Sequence, residues 1–164
     1  MLLKKVCMIG SFAVGKTSLV RKSVQGIFSE TYKTTVGVKV DNKVVRVGEK
    51  EVTLVLWDLY GEDKFQTLLR SHLSGTYGYL LVADGTRLAT LHEAEALEAK
   101  MRQEIGNKPF LFLLNKRDLR PEWEIDDAQQ ADLAARGWEI LHTSAKTGEG
   151  VEAAFLRLAE KMLA

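Results

Sequence analysis

The sequence predicts an α/β fold of three layers: a six-stranded, mostly parallel sheet with one antiparallel edge strand and helices on both faces. Three observations predict it. Apolar runs of strand length alternate with helix-length segments along the chain. Residues 38–47 and 51–57 alternate apolar and polar side chains on either side of Gly48-Glu49-Lys50, as the arms of an antiparallel hairpin do. Between the first apolar run and the first helix-like segment, Gly10-Ser-Phe-Ala-Val-Gly15-Lys16-Thr17 fits the phosphate-cradling pattern G-x-x-x-x-G-K-[ST] in full. A length of 164 residues suits one domain, here residues 1–164, with a sizeable core.

Residues 3–10 form the first predicted strand, and residues 16–25 a helix carrying Leu19, Val20, Ser23 and Val24, with Gly26 as its stop. Residues 27–37 are polar with two aromatics, which predicts an exposed loop. After the hairpin, residues 58–76 are polar and glycine-punctuated, with a short helical piece around 66–72. Residues 79–83 and 109–114 are unbroken apolar runs ending at Asp84 and Asn115, as strands covered on both faces should be. Helices are predicted over 88–104, over 126–136 with Asp126 or Asp127 at its start and Gly137 as its stop, and over 151–163, with a short last strand at 138–142. Ligand sites in such folds gather at the carboxyl ends of the strands, where the glycine loop, Asp58 and Asn115 all fall.

The residue types there point to nucleotide chemistry. Gly10 and Gly15 permit a tight loop whose N–H groups face anionic oxygens. Lys16 can place its charge on the β- and γ-phosphates, Thr17 can ligate Mg²⁺, and the helix start adds a positive dipole end. Asp58, ending a strand, can hold Mg²⁺ through water, and Gly61 can bring its N–H to a γ-phosphate. Asn115-Lys116-Arg117-Asp118 is sharper. A carboxylate in the base plane accepts from guanine N1–H and N2–H₂, a donor pair that adenine lacks. Lys116 can cover the base face with its stem, and Asn115 can tie loop segments together. Thr143-Ser144-Ala145-Lys146 follows the last strand, where a small Ala145 lets its N–H approach guanine O6, with Lys146 near the base.

With these residues in order, the chain resembles a small GTPase of the Ras superfamily, Rab-like in flavour, across essentially its whole length. The carriers are G-S-F-A-V-G-K-T at 10–17, T-T-V-G at 34–37, W-D-L-Y-G at 57–61, N-K-R-D at 115–118 and T-S-A-K at 143–146. The resemblance implies the P-loop NTPase fold and a nucleotide-binding set of Phe12, Ala13, Val14, Gly15, Lys16, Thr17, Ser18, Phe28, Thr35, Gly61, Asn115, Lys116, Asp118, Leu119, Ser144, Ala145 and Lys146. It implies Mg²⁺ held by Thr17 and Thr35 with Asp58 behind, Thr35 N–H on the γ-phosphate, and Phe28 edge-on to guanine. The loops at about 28–38 and 59–75 become switch regions that γ-phosphate orders and hydrolysis releases. They would meet protein effectors, an exchange factor and, where one is used, an activating protein.

The departures from the family pattern concern hydrolysis. Glu62 stands where the family uses a glutamine to position water, and a carboxylate beside an anionic γ-phosphate is electrostatically disfavoured in that pose. It could act as a base only with a raised pKa. Tyr60 replaces a small residue beside the γ-phosphate. Phe12 either crowds an incoming arginine finger or lies outward over the second switch region. Glu62, Lys16 and Gly61 are the catalytic candidates, with GTP binding intact and intrinsic hydrolysis slow. The alternative is a GTP-binding interaction module that does not hydrolyse.

Composition removes other classes. With 23 basic and 22 acidic residues the net charge is +1, so nothing recommends nucleic acid or an anionic membrane as partner. The single Cys7 falls inside the first strand and excludes an internal disulfide. No apolar run spans a membrane, the stretch before Gly10 is too short for a signal peptide, and no terminal cysteine provides a prenyl anchor. The expectation is a cytoplasmic protein. His72, His92 and His142 are read as surface or capping residues, and Trp123 and Trp138 as packing. Tyr32, Phe65, Leu68 and Leu69 are candidates for a partner surface, the two leucines equally for packing beneath it. Arg70 and Lys64 are candidates to supply charge to the γ-phosphate in cis, on proximity alone.

Overall fold

The computed structural model describes residues 2–24, 31–33, 38–59 and 70–164, with 31–33 and 70 described at the backbone. Among the described residues seven strands form one sheet: β1 (Leu2–Gly10), β2 (Thr31–Lys33), β3 (Lys39–Val47), β4 (Lys50–Asp58), β5 (Thr76–Asp84), β6 (Phe110–Asn115) and β7 (Ile140–His142). Their order is β2-β3-β4-β1-β5-β6-β7. β1 pairs in parallel with β4 and β5, and β5, β6 and β7 continue in parallel. β3 runs antiparallel to β4, as the hairpin pattern predicts. Gly48 alone of the two turn residues has a positive φ, +61°, which suits a two-residue turn with glycine at its first position.

The six predicted strands are all present. The seventh, β2, lies inside the segment expected to be a loop and pairs antiparallel with the start of β3. Three residues offer no alternation to detect, yet their backbone groups cover part of an edge that β3 would otherwise expose.

Helices α1 (Lys16–Ser23) and α5 (Val151–Leu163) cover one face, while α2 (Arg70–Leu73), α3 (Leu88–Ile105) and α4 (Asp127–Ala135) lie toward the other. Strand residues are shared between the two cores by alternation. Val6 and Met8 pack with Leu19, Phe155 and Leu158, whereas Cys7 and Ile9 pack with Leu91, Ala94 and Met101. Cys7 is a buried packing residue, as expected, with Sγ 3.2 Å from Thr76 Oγ1 and a thiol pKa that burial pushes up. α4 begins with a reciprocal capping box between Asp126 and Gln129, and Gly137 follows its end at φ +90°. A 3₁₀ turn at Arg117–Glu122, which no periodicity announces, sits between β6 and α4. α1 ends at Ser23, two residues before its expected limit, and Gly26 lies outside the described residues, as do positions 66–69 of the helical piece predicted around 66–72, whose last residues fall in α2. Lys43 of β3 donates to Ser23 O and to Glu152 Oε1, joining the end of α1 to the start of α5. Among the described residues no helix is long and apolar enough to cross a membrane.

The parallel registers place the carboxyl ends of the central strands together. Met8 is level with Asp58, Gly10 with Val82, and Asp84 with Asn115.

Candidate functional site

The loop after β1 is shaped by lack of room. A Cβ on Gly10 would sit 2.6 Å from Val82 O, and one on Gly15 would sit 2.2 Å from Asn115 Nδ2. Gly15 also takes φ +100° and starts α1 without a side-chain cap. No acidic side chain occupies the first turn, so the first amides of α1 keep the anion-attracting character of a helix start. Lys16 is buried, and its Nζ turns back over the loop to donate to Gly10 O at 3.1 Å. Ala13 holds φ +61°, Val14 is buried, and Ser18 and Phe12 are exposed, Phe12 at 61%.

Beside the loop, Thr17 Oγ1 donates to Asp58 Oδ2 at 2.5 Å. The other Asp58 oxygen, Oδ1, is buried and has no hydrogen-bond partner among the described residues, and neither has Ser11 Oγ. A buried carboxylate oxygen without a donor is costly by roughly 1–3 kcal/mol or more. A hard divalent cation, directly or through a bound water, satisfies such an oxygen, and a neighbouring hydroxyl supplies a second oxygen donor. The pair fits Mg²⁺. No group of three or more His, Cys, Asp or Glu capable of holding a metal occurs among the described residues, so a cation here depends on ligand and hydroxyl oxygens.

The opposite corner is organised by Asn115. Its Nδ2 donates to Val14 O at 2.9 Å, while Oδ1 accepts from Thr143 Oγ1 at 3.1 Å and Ala145 N at 3.3 Å. One side chain thus joins the glycine loop to the segment after β7. Asp118 is exposed, with Oδ1 accepting from Ser144 Oγ at 2.8 Å. The Ser144 hydroxyl accepts in turn from Thr147 N, and Ser144 N donates to Glu149 O. Leu119 and Lys146 are exposed around this corner.

Lys116 takes a left-handed backbone, φ +74°, and its Nζ lies 2.8 Å from Asp84 Oδ2. Asp84 is a residue that sequence reasoning marked as the end of a strand and gave no role. Its Oδ1 accepts from Thr86 N and Oγ1, and Oδ2 also accepts from Arg87 Nε. Burial pushes this carboxyl up, but the Lys116, Thr86 and Arg87 bonds outweigh it and hold the pKa below the ordinary value. An acidic residue closing an apolar run, with Thr86 two places on, was the signal available.

His142 departs from the expected surface or capping role. Its Nδ1 accepts from Arg117 Nη1 at 2.5 Å and Arg120 Nη1 at 3.2 Å, and Nε2 lies 2.7 Å from Gln130 Oε1. Burial first, then the Arg120 and Arg117 charges, lower its pKa, and because arginine can only donate to Nδ1, the ring's proton sits on Nε2 toward Gln130 Oε1. Trp123 packs, as expected, edge-on to His142 with ring centroids 5.1 Å apart, and also donates from Nε1 to Lys116 O. Gly85 is required beneath it, because a Cβ there would come within 2.1 Å of the indole.

The structure therefore brings together Gly15, Lys16, Thr17 and Asp58 at one corner, and Val14, Asn115, Lys116, Asp118, Ser144 and Ala145 at the other. Phe28, Thr35, Gly61 and Glu62 lie outside the described residues, as do Tyr60, Lys64, Phe65, Leu68 and Leu69.

Comparison with known proteins agrees with this arrangement. The Ras family profile matches residues 5–164. The chain is 36% identical over 161 residues to human Ras-related protein Rab-4B, covering 97% of this chain and 76% of that one. Mouse Ras-related protein Rab-4A is 33% identical over 161 residues, with 97% and 74% covered, and mouse Ras-related protein Rab-21 is 32% identical over 162 residues, with 97% and 72% covered. The chain belongs to the Ras family, as a Rab-like small GTPase.

Proposed function

We propose that residues 1–164 act as one domain, a cytoplasmic switch that binds GTP and GDP with Mg²⁺ and hydrolyses GTP slowly to GDP and phosphate. The observation that carries this reading is the Asn115 side chain, bonded at once to Val14 O in the glycine loop and to the Thr143 and Ala145 segment. Through it, a group that holds phosphates and a group that reads a base keep one spacing. Asp118, kept in place by Ser144, serves as acceptor for the guanine N1–H and N2–H₂ pair, which adenine does not offer. Lys116, Ala145, Leu119, Lys146 and Phe28 complete the base side.

On the phosphate side, the loop amides of residues 12–18 and Lys16 hold the anionic oxygens. Thr17 and Thr35 would hold Mg²⁺ with Asp58 behind, and the ion would supply charge neutralisation at the phosphates. The unpartnered Asp58 Oδ1 supports this role. Gly61 and Lys16 stabilise negative charge on the transferred group, while Glu62 stands where the water must be oriented. A carboxylate there is repelled by the phosphate, which makes the intrinsic rate low. The loops at about 28–38 and 59–75 change with the nucleotide and meet effectors, an exchange factor and an activating protein.

Single-turnover hydrolysis tests this. Protein loaded with GTP and Mg²⁺ should convert its bound nucleotide at below about 10⁻⁴ s⁻¹, and Glu62→Gln should raise that rate. GTP retained unchanged for days in both proteins would instead support the non-hydrolysing module favoured by Phe12, Tyr60 and Glu62. Failure to bind GTP would defeat both.

A further inference from the structure

Arg87 stands immediately before α3, and both ends of its guanidinium are committed. Nε donates to Asp84 Oδ2 at 3.1 Å, and Nη2 donates to the Phe12 carbonyl at 2.8 Å. That bond crosses from the end of β5 to the glycine loop, 75 residues away in sequence. Phe12 precedes Ala13, whose φ of +61° is one that residues bearing a Cβ rarely adopt. Where glycine would take this conformation without strain, Ala13 needs an external restraint. A charge-assisted hydrogen bond to the adjoining carbonyl is a strong one.

The direction of that restraint has a chemical consequence. The C=O and N–H of one trans peptide unit point opposite ways. Drawing the Phe12 carbonyl toward Arg87 turns the Ala13 N–H away from Arg87 and back across the loop. The anchor is firm, since Asp84 is fully buried and its two oxygens are also held by Thr86 and Lys116.

We propose that Arg87, held by Asp84, is a positioning residue that fixes the peptide between Phe12 and Ala13 so that the Ala13 N–H is presented to a β-phosphate oxygen of the nucleotide. The inference rests on the nucleotide-binding reading above and adds a residue outside its motifs. Arg87 touches no phosphate itself. It acts through one backbone amide, so its removal should be felt by nucleotides that reach that amide and not by those that stop short of it.

The experiment compares GDP with GMP, both in Mg²⁺, by calorimetric titration of the full chain, Arg87→Ala and Arg87→Lys. Arg87→Ala should raise the dissociation constant for GDP about tenfold, the scale of one oriented hydrogen bond, and change that for GMP less than twofold. Arg87→Lys keeps a cationic donor at this position and should recover at least half of the loss on a logarithmic scale. Equal losses for GDP and GMP would mean a general structural role and overturn the proposal, as would unchanged GDP binding. Should Arg87→Ala fail to fold, Arg87→Gln with Arg87→Lys carries the same GDP-to-GMP contrast. A wild-type chain that binds no GDP defeats the nucleotide reading itself, and that result appears before any variant is made.

Discussion

The two corners of the site solve opposite problems. In the base corner the protein's groups satisfy one another: both ends of the Asn115 amide are bonded, Asp118 accepts from Ser144, and Lys116 is paired with Asp84. In the phosphate corner, Asp58 Oδ1 and Ser11 Oγ are buried without hydrogen-bond partners among the described residues. The first corner is preorganised by side chains that hold their geometry alone. The second contains polar atoms whose satisfaction depends on what is bound. On the proposed function, binding energy spent on ordering would be low at the base and concentrated at the phosphates, as would suit a switch that holds guanine in both states while distinguishing a third phosphate.

The largest effect should come from cutting the link between the corners. Asn115→Ala removes three hydrogen bonds, to Val14 O, Thr143 Oγ1 and Ala145 N. At ~1 kcal/mol each the loss is about 3 kcal/mol of folding stability, measured by chemical denaturation, with a loss of GDP affinity measured alongside. If affinity fell while stability did not, the base corner would not be preorganised by these bonds.

Asp58→Asn tests the other corner and should have the opposite sign. The nucleotide-free variant should unfold no more easily than wild type, because the buried Oδ1 that lacks a donor is replaced by an amide, while the amide oxygen can keep the bond from Thr17. The added stabilisation that Mg²⁺ gives the GDP-bound protein should be lost, as read from thermal unfolding with and without Mg²⁺. A nucleotide-free variant clearly less stable than wild type would mean that Asp58 is already satisfied without a cation.

The smallest effect is a pH dependence confined to the base corner. The folded pKa of His142 lies below its ordinary 6.5, mainly through burial and then through Arg120 and Arg117, with Asp127 and Glu149 acting in the opposite sense. The unfolded chain therefore takes up this proton first as pH falls. The stability contribution is complete above about 6.5 and is lost as pH falls through the lower folded value. His142→Gln should flatten that part of the denaturation profile. An unchanged profile would show that the ring titrates as it does in the unfolded chain.

Much of the site was legible because its chemistry is written in contiguous residues. A glycine loop, Asp58 after a strand, and Asn115 to Asp118 after another can be recognised by spacing, and the alternation of β3 and β4 announced their hairpin. What was not legible depends on tertiary proximity. Asp84 reads as the last residue of an apolar run, and nothing nearby shows that Lys116 will reach it. Arg87 lies next to an ordinary helix start, and only the sheet register brings it to Phe12. His142 looks like an isolated polar residue on a short strand until the 3₁₀ turn, itself without periodicity, delivers two arginines to one ring nitrogen. β2 was missed because three residues carry no pattern.

Trp123 gives this molecule a built-in optical probe. Its indole donates to Lys116 O, faces the edge of His142, and lies 5.0 Å from the Arg120 guanidinium. The excited state of an indole responds to nearby charge and to the loss of a hydrogen bond, so its emission follows the backbone that carries Lys116. Trp57 sits under Lys5, and Trp138 is packed against Phe110 and Phe112, contacts that Trp123 does not share. If the site binds nucleotide as proposed, exchange there would be timed by the protein's own fluorescence, with unmodified GTP and GDP.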